Sequence, residues 1–82
     1  MEAKNLFAQR LLALRKQAGI SQKQLGEIIG LTNNAVCMME TGVRETTFQK
    51  LILLAEYFQV STDYLLGVTD DPTWRGGPKE SL

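Results

Sequence analysis

The sequence predicts an all-α domain of five short helices. Apolar residues recur at spacings of three and four in four successive segments, a shorter fifth follows Ser61, and each segment opens after a Ser or Thr or closes on a Gly. Nowhere does the two-residue alternation of a half-buried strand appear. With 44% apolar residues, a chain of 82 residues can bury one modest core.

The first helix carries Phe7, Leu11, Leu14 and Ala18 at intervals of four, three and four, an apolar stripe that ends at Gly19. Ser21 stands ahead of the second helix with Gln24 three residues on, a capping box in which each side chain satisfies the other's free backbone donor. Leu25 and Ile29 share the inward face of that helix. Gly26 lies on the flank where a second helix must cross closely, which outweighs its roughly 1 kcal/mol disadvantage in helix propensity against Ala. Gly30 ends the helix, because Gly enters the left-handed conformation cheaply. Leu31 follows as a plug, and Thr32 is an N-cap for the third helix.

Along that third helix, about 100° of rotation per residue puts Val36, Met39 and Glu40 on one side. Asn34, Cys37, Met38 and Thr41 fall on the other, with Asn33 between the faces and Gly42 closing the helix. The outward face is therefore polar and uncharged. The segment Gln22 to Gly42, QKQLGEIIGLTNNAVCMMETG, reads as two short helices around a glycine turn, the device that lays a helix in the DNA major groove.

Phe48, Leu51, Ile52, Ala55 and Phe58 form the apolar stripe of a fourth helix, for which either Thr46 or Thr47 can cap. Ser61 caps a last helix through Leu66, where Asp63 in the first turn favours the positive end of the helix dipole. Tyr64 and Leu65 are expected to pack on the preceding helix. From Thr69 the composition changes to TDDPTWRGGPKESL, rich in Pro, Gly and charge. The expected division is a domain over 1–68 and a mobile tail over 69–82, with Trp74 either a flexible remnant or part of a contact surface.

The stretch Arg10 to Gly67, through RLLALRKQAGISQKQLGEIIGLTNNAVCMMETG and LILLAEYFQVSTDYLLG, resembles the Cro/repressor-type, or Xre-like, helix-turn-helix regulators of phages and bacteria. The resemblance implies a five-helix lambda-repressor-like DNA-binding domain. It further implies a transcriptional regulator, a repressor by preference, working as a homodimer on an inverted repeat of double-stranded DNA. Half-sites about 34 Å apart would match the two recognition helices of a symmetric pair. The fourth helix, the last helix and the tail with Trp74 are the candidate dimer surfaces.

The same resemblance assigns residues. Arg15 and Glu40 match a buried ion pair that sets the angle of the recognition helix, and ordinary surface charges are the alternative. Gln22 and Lys23 match phosphate-contacting positions at a helix N-terminus, where backbone donors and the dipole favour an anion. Thr32 and Thr41 place hydroxyls at the two ends of the recognition helix, and Arg44 follows in the loop, all suited to phosphate contact. Asn33 and Asn34 match base-reading positions. An Asn amide can pair bidentately with adenine, a contact worth about 1 to 3 kcal/mol of discrimination. A local bond to its own backbone is the alternative for Asn33, and plain solvation for Asn34. Cys37 and Met38 depart from the Gln, Arg, Ser or Glu common on this face. They can touch thymine methyl groups, or cover a protein partner.

Charge and inventory bound the function. Residues 1–50 hold seven of the nine basic residues (Lys4, Arg10, Arg15, Lys16, Lys23, Arg44, Lys50) against Glu2, Glu27, Glu40 and Glu45, so the half with the motif is basic within a neutral chain. With no His and one Cys, there is no Cys/His dyad, no Ser/His/Asp set and no zinc site. The glycines at 26 and 30 lack the lysine of a phosphate loop. An enzyme and a cofactor are therefore not expected. The lone Cys37 and the lack of a long apolar stretch suit the reducing cytoplasm rather than a membrane. The rival reading is a protein-binding module of the same fold, such as an antitoxin or an antagonist of another regulator.

Overall fold

The computed structural model describes residues 3–74, and these form five helices in the order α1 (Ala3–Ala18), α2 (Gln22–Ile29), α3 (Asn33–Glu40), α4 (Phe48–Phe58) and α5 (Thr62–Leu66). Local chemistry sets most of the boundaries. Ser21 Oγ accepts from the Gln24 amide at 3.0 Å while the Gln24 side chain accepts from the Ser21 amide at 2.8 Å, so both halves of the capping box are made. Thr32, Thr47 and Ser61 each accept the amide three residues ahead, at Ala35, Lys50 and Tyr64. Of the two threonines before α4, Thr47 is the cap, and Thr46 Oγ1 is buried without a hydrogen-bond partner.

The helices close around one core. Leu11 from α1, Leu25 and Ile29 from α2, Val36 and Met39 from α3, Leu54 from α4 and Leu65 from α5 are all essentially inaccessible. Each such side chain contributes roughly 1.5–3 kcal/mol by leaving water. α2 packs chiefly on α3, while α1 lies against both α3 and α5. Leu14, Ile20, Leu31 and Phe58 fill in around the edge.

Three details differ from the pattern read along the chain. Ala18 is exposed, because the inward position in the last turn of α1 belongs to Arg15. α4 is rotated from the expected stripe: Leu51, Leu54 and Ala55 are buried, whereas Phe48 is 85% and Ile52 51% exposed. This helix is apolar around most of its circumference, so periodicity alone could not choose the inward face. Tyr64 does join the core, but its ring also lies 4.2 Å beneath the Arg10 guanidinium of α1.

The segment after α5 folds back on the domain. The Ser61 amide donates to Pro72 O at 3.1 Å, Val60 and Thr73 form an isolated antiparallel bridge, and Trp74 packs against the core. Arg10 fastens this strap. Its guanidinium donates to the carbonyls of Tyr64 and Thr69 and to the Asp70 carboxylate. The packing thus runs past the boundary expected at 68, and the remainder of the expected tail, from residue 75, lies outside the described residues.

Candidate nucleic-acid interface

The geometry of α2 and α3 begins at their turn. Gly30 adopts φ 77°, the left-handed conformation that ends α2, and its neighbour Leu31 donates its amide to Gly26 O at 2.8 Å. This brings the turn backbone over α2. A Cβ on Gly26 would sit 2.5 Å from Leu31 O and 3.3 Å from Thr32 C, so the close neighbour at Gly26 is the turn backbone and not the crossing helix expected there, because the Leu31 amide bond folds the turn back over α2. The Nζ of Lys50, reaching from α4, lies 3.2 Å from the position of a Cβ on Gly30. A cation at the C-terminal end of α2 complements the helix dipole. Nothing in local sequence relates these two residues, twenty positions apart.

The other end of the unit is held by a buried ion pair. Arg15 Nε donates to Glu40 Oε2 at 2.6 Å and its Nη2 to Oε1 at 3.1 Å, a two-pronged contact, with the Glu40 side chain only 2% exposed. Arg15 Nη1 also donates to Ile20 O at 2.9 Å, in the loop that leads to α2. Gln22 adds a bond that sequence reasoning did not foresee. Its Nε2 donates to Glu40 Oε1 at 3.0 Å, tying the first residue of α2 to the last residue of α3. Breaking such a pair by removing one partner is expensive, because the remaining charge stays buried.

The residues singled out for contact divide by position. Gln22 and Lys23 at the start of α2 lie beside the end of α3, where Thr41 and Arg44 follow, because the Gln22 to Glu40 bond brings those termini together. Lys23, Thr41 and Arg44 are exposed, whereas Gln22 is half-buried. The Thr41 hydroxyl donates back to Met38 O at 3.1 Å, and the Arg44 amide to the same oxygen, so the loop after α3 turns tightly over its end. At the opposite end Thr32 Oγ1 is engaged as the cap, leaving it lone-pair capacity but a fixed position.

Asn33 and Asn34 are exposed on the first turn of α3, and Cys37 and Met38 are half-buried one turn on. Asn34 Nδ2 lies 3.6 Å from Met38 Sδ, a weak contact that orders the two side chains together. With Ala35, Val36, Met39 and Glu40 buried, this face has only amides, a thiol and a thioether to offer. Positive charge flanks it rather than lying on it.

The charge asymmetry along the chain is partly undone in space. Arg10 pairs with Asp70 from the acidic half and Arg15 with Glu40, so neither guanidinium is free for a polyanion. Exposed Lys16, Lys23 and Arg44 remain on the basic half. No group of His, Cys, Asp or Glu among the described residues could hold a metal ion, and no described helix is long and apolar enough to cross a membrane.

Known proteins resemble this chain in sequence and fold. The helix-turn-helix family HTH_3 matches residues 11–65. An HTH-type regulator of Bacillus subtilis, YobD, is 39% identical over 67 residues, which are 82% of this chain and 60% of that protein. The chain thus spans less than two thirds of YobD. The control protein C.SmaI of Serratia marcescens is 33% identical over 66 residues, 80% of this chain and 79% of its own length. Among solved structures, the P22 c2 repressor in complex with a synthetic operator superposes with a TM-score of 0.70 at 35% identity, covering 73% of this chain and 91% of that one. The restriction-modification controller C.AhdI of Aeromonas hydrophila gives 0.64 at 32% identity, over 72% of this chain and 86% of its own. The fold is that of the lambda, 434 and P22 repressor DNA-binding domains, and the chain belongs to the Xre/Cro-type helix-turn-helix family of transcriptional regulators.

Proposed function

We propose that this chain is a sequence-specific DNA-binding repressor that engages an inverted-repeat operator as a homodimer, with α3 in the major groove. The observation that carries the reading is the pairing of a rigidly held α3, locked at its C-terminal end by Arg15 and Glu40, with an outward face left to solvent. Likeness to a repressor bound to its operator supports the same reading. Asn33 and Asn34 read bases through their amides, with adenine the natural partner, and Cys37 and Met38 press on thymine methyl groups. Lys23, Arg44, Thr32, Thr41 and the free amide hydrogen of Gln22 hold the phosphates on either side and set register. Arg, the best reader of guanine, is absent from this face, so specificity rests on A·T pairs.

The dimer surface is best sought on the outer flank of α4. Phe48 and Ile52 form an exposed apolar ridge one turn apart. Phe48 borders a hollow lined also by Phe7, Glu45, Leu51 and Leu66, and Ile52 borders one lined also by Ala55, Glu56, Asp63 and Trp74. A symmetric pair needs one surface that is complementary to itself, and a ridge beside hollows meets that requirement.

Selection of bound duplexes from a random pool, followed by anisotropy titrations at two salt concentrations, tests the proposal. Enrichment of an inverted repeat is expected, with an affinity that falls steeply as salt rises. A chain that enriches no repeat and binds no duplex at low salt would be a protein-binding module instead.

A further inference from the structure

The Glu40 carboxylate is the point on which the recognition unit turns, and its three bonds come from two directions. Arg15 holds it from α1 through Nε and Nη2, while Gln22 holds Oε1 from the start of α2. We infer that Gln22 is a positioning residue for base readout, setting the angle of α3 through Glu40 in addition to any phosphate it touches. The inference rests on α3 being the recognition helix.

The geometry gives Gln22 leverage. Glu40 is the last residue of α3 and Asn34 stands six residues before it, about 9 Å along the axis at 1.5 Å per residue. Pivoting α3 on its C-terminal anchor by roughly 5° would therefore move Asn34 by about 0.8 Å, more than the roughly 0.5 Å within which a binding constellation must be held. Arg15 alone grips the carboxylate in the plane of its own fork, and that fork is also fastened to Ile20 O. Gln22 supplies a second direction, from the helix that α3 packs against most closely. Being neutral, it does so without altering the charge of the buried pair. Its Nε2 carries a second hydrogen, so a phosphate contact and the bond to Glu40 can coexist.

A double-mutant series in the free protein reads the contact without DNA. Gln22→Glu sets two carboxylates against each other and is expected to lower Tm by about 5 °C or more. The same substitution made in a Glu40→Gln background, where the loss of the Arg15 pair is common to both members compared, should lower Tm by less than half as much. An equal fall in the two backgrounds overturns the proposal. Gln22→Met, which keeps the stem and removes the donors, is then titrated on a selected duplex and on random duplex DNA. The ratio of specific to non-specific affinity should fall by about ten-fold, the scale of one impaired bidentate base contact. Equal losses on both duplexes make Gln22 a phosphate contact alone and overturn the role in readout. Failure of the wild type to bind either duplex overturns the DNA reading itself, and the melting series separates that result from failure of the Gln22 to Glu40 contact.

Discussion

Replacing Gly26 with Ala sets helix propensity against packing, and the structure decides the sign. In an exposed helix the change would stabilise by about 1 kcal/mol. Gly26 is buried, however, and the added Cβ would lie 2.5 Å from Leu31 O, with Leu31 C and Thr32 C both at 3.3 Å. Relieving the first contact to ordinary separation needs a movement of close to an ångström, and the atoms met are backbone. They are held by the Leu31 amide on Gly26 O and by the Thr32 cap on Ala35, so they cannot yield singly. Overpacking of this kind costs about 3 kcal/mol at the upper end of its usual range. Subtracting the propensity gain leaves a loss of about 2 kcal/mol, which in a domain of this size lowers Tm by about 8–16 °C. Circular dichroism melts of Gly26→Ala measure it. An unchanged or raised Tm would refute the close approach of the turn to α2, and with it the placement of α3.

Four other substitutions probe three separate parts of the molecule. Glu40→Ala removes all three bonds at the buried carboxylate and strands Arg15; Arg15→Ala strands Glu40, and each should cost about 3–5 kcal/mol in denaturant unfolding. Unchanged stability in both would reduce the pair to a surface contact. Arg10→Ala releases the strap from α1, losing a charge-assisted contact worth about 1.5–3 kcal/mol, and the fluorescence of Trp74, the sole tryptophan, should shift to longer wavelength as it meets water. Phe48→Glu should leave monomer stability within about 0.5 kcal/mol, since the side chain is already in solvent, while sedimentation shows loss of the dimer. A dimer that persists in this variant moves the interface away from α4.

The helix-turn-helix unit was readable because its determinants are local. Ser21 with Gln24, Gly30 and Thr32 act within three or four residues of the bonds they make, and Leu25, Val36 and Met39 repeat with the helix itself. The Thr and Ser caps of the later helices and the inward side of α3 are legible for the same reason. α4 was harder, because a helix that is apolar on several sides has more than one face that looks like a core. Its rotation, which leaves Phe48 in solvent, was settled by what α2 and α5 bury against it.

By itself the sequence determined which segments are helical, where α2, α3 and α5 begin and end, and that α3 has one apolar and one neutral polar face. Those properties follow from hydrogen bonds and rotations within a single turn, so a linear pattern records them. Tertiary structure alone decided that Gln22 reaches Glu40, that Arg10 clasps Asp70, that Lys50 stands over Gly30 and that 69–74 folds back onto the core. Each joins residues far apart in the chain, through side chains whose polarity suits solvent as well as a partner. Only packing, which fixes the helices relative to one another, brings those groups within bonding distance.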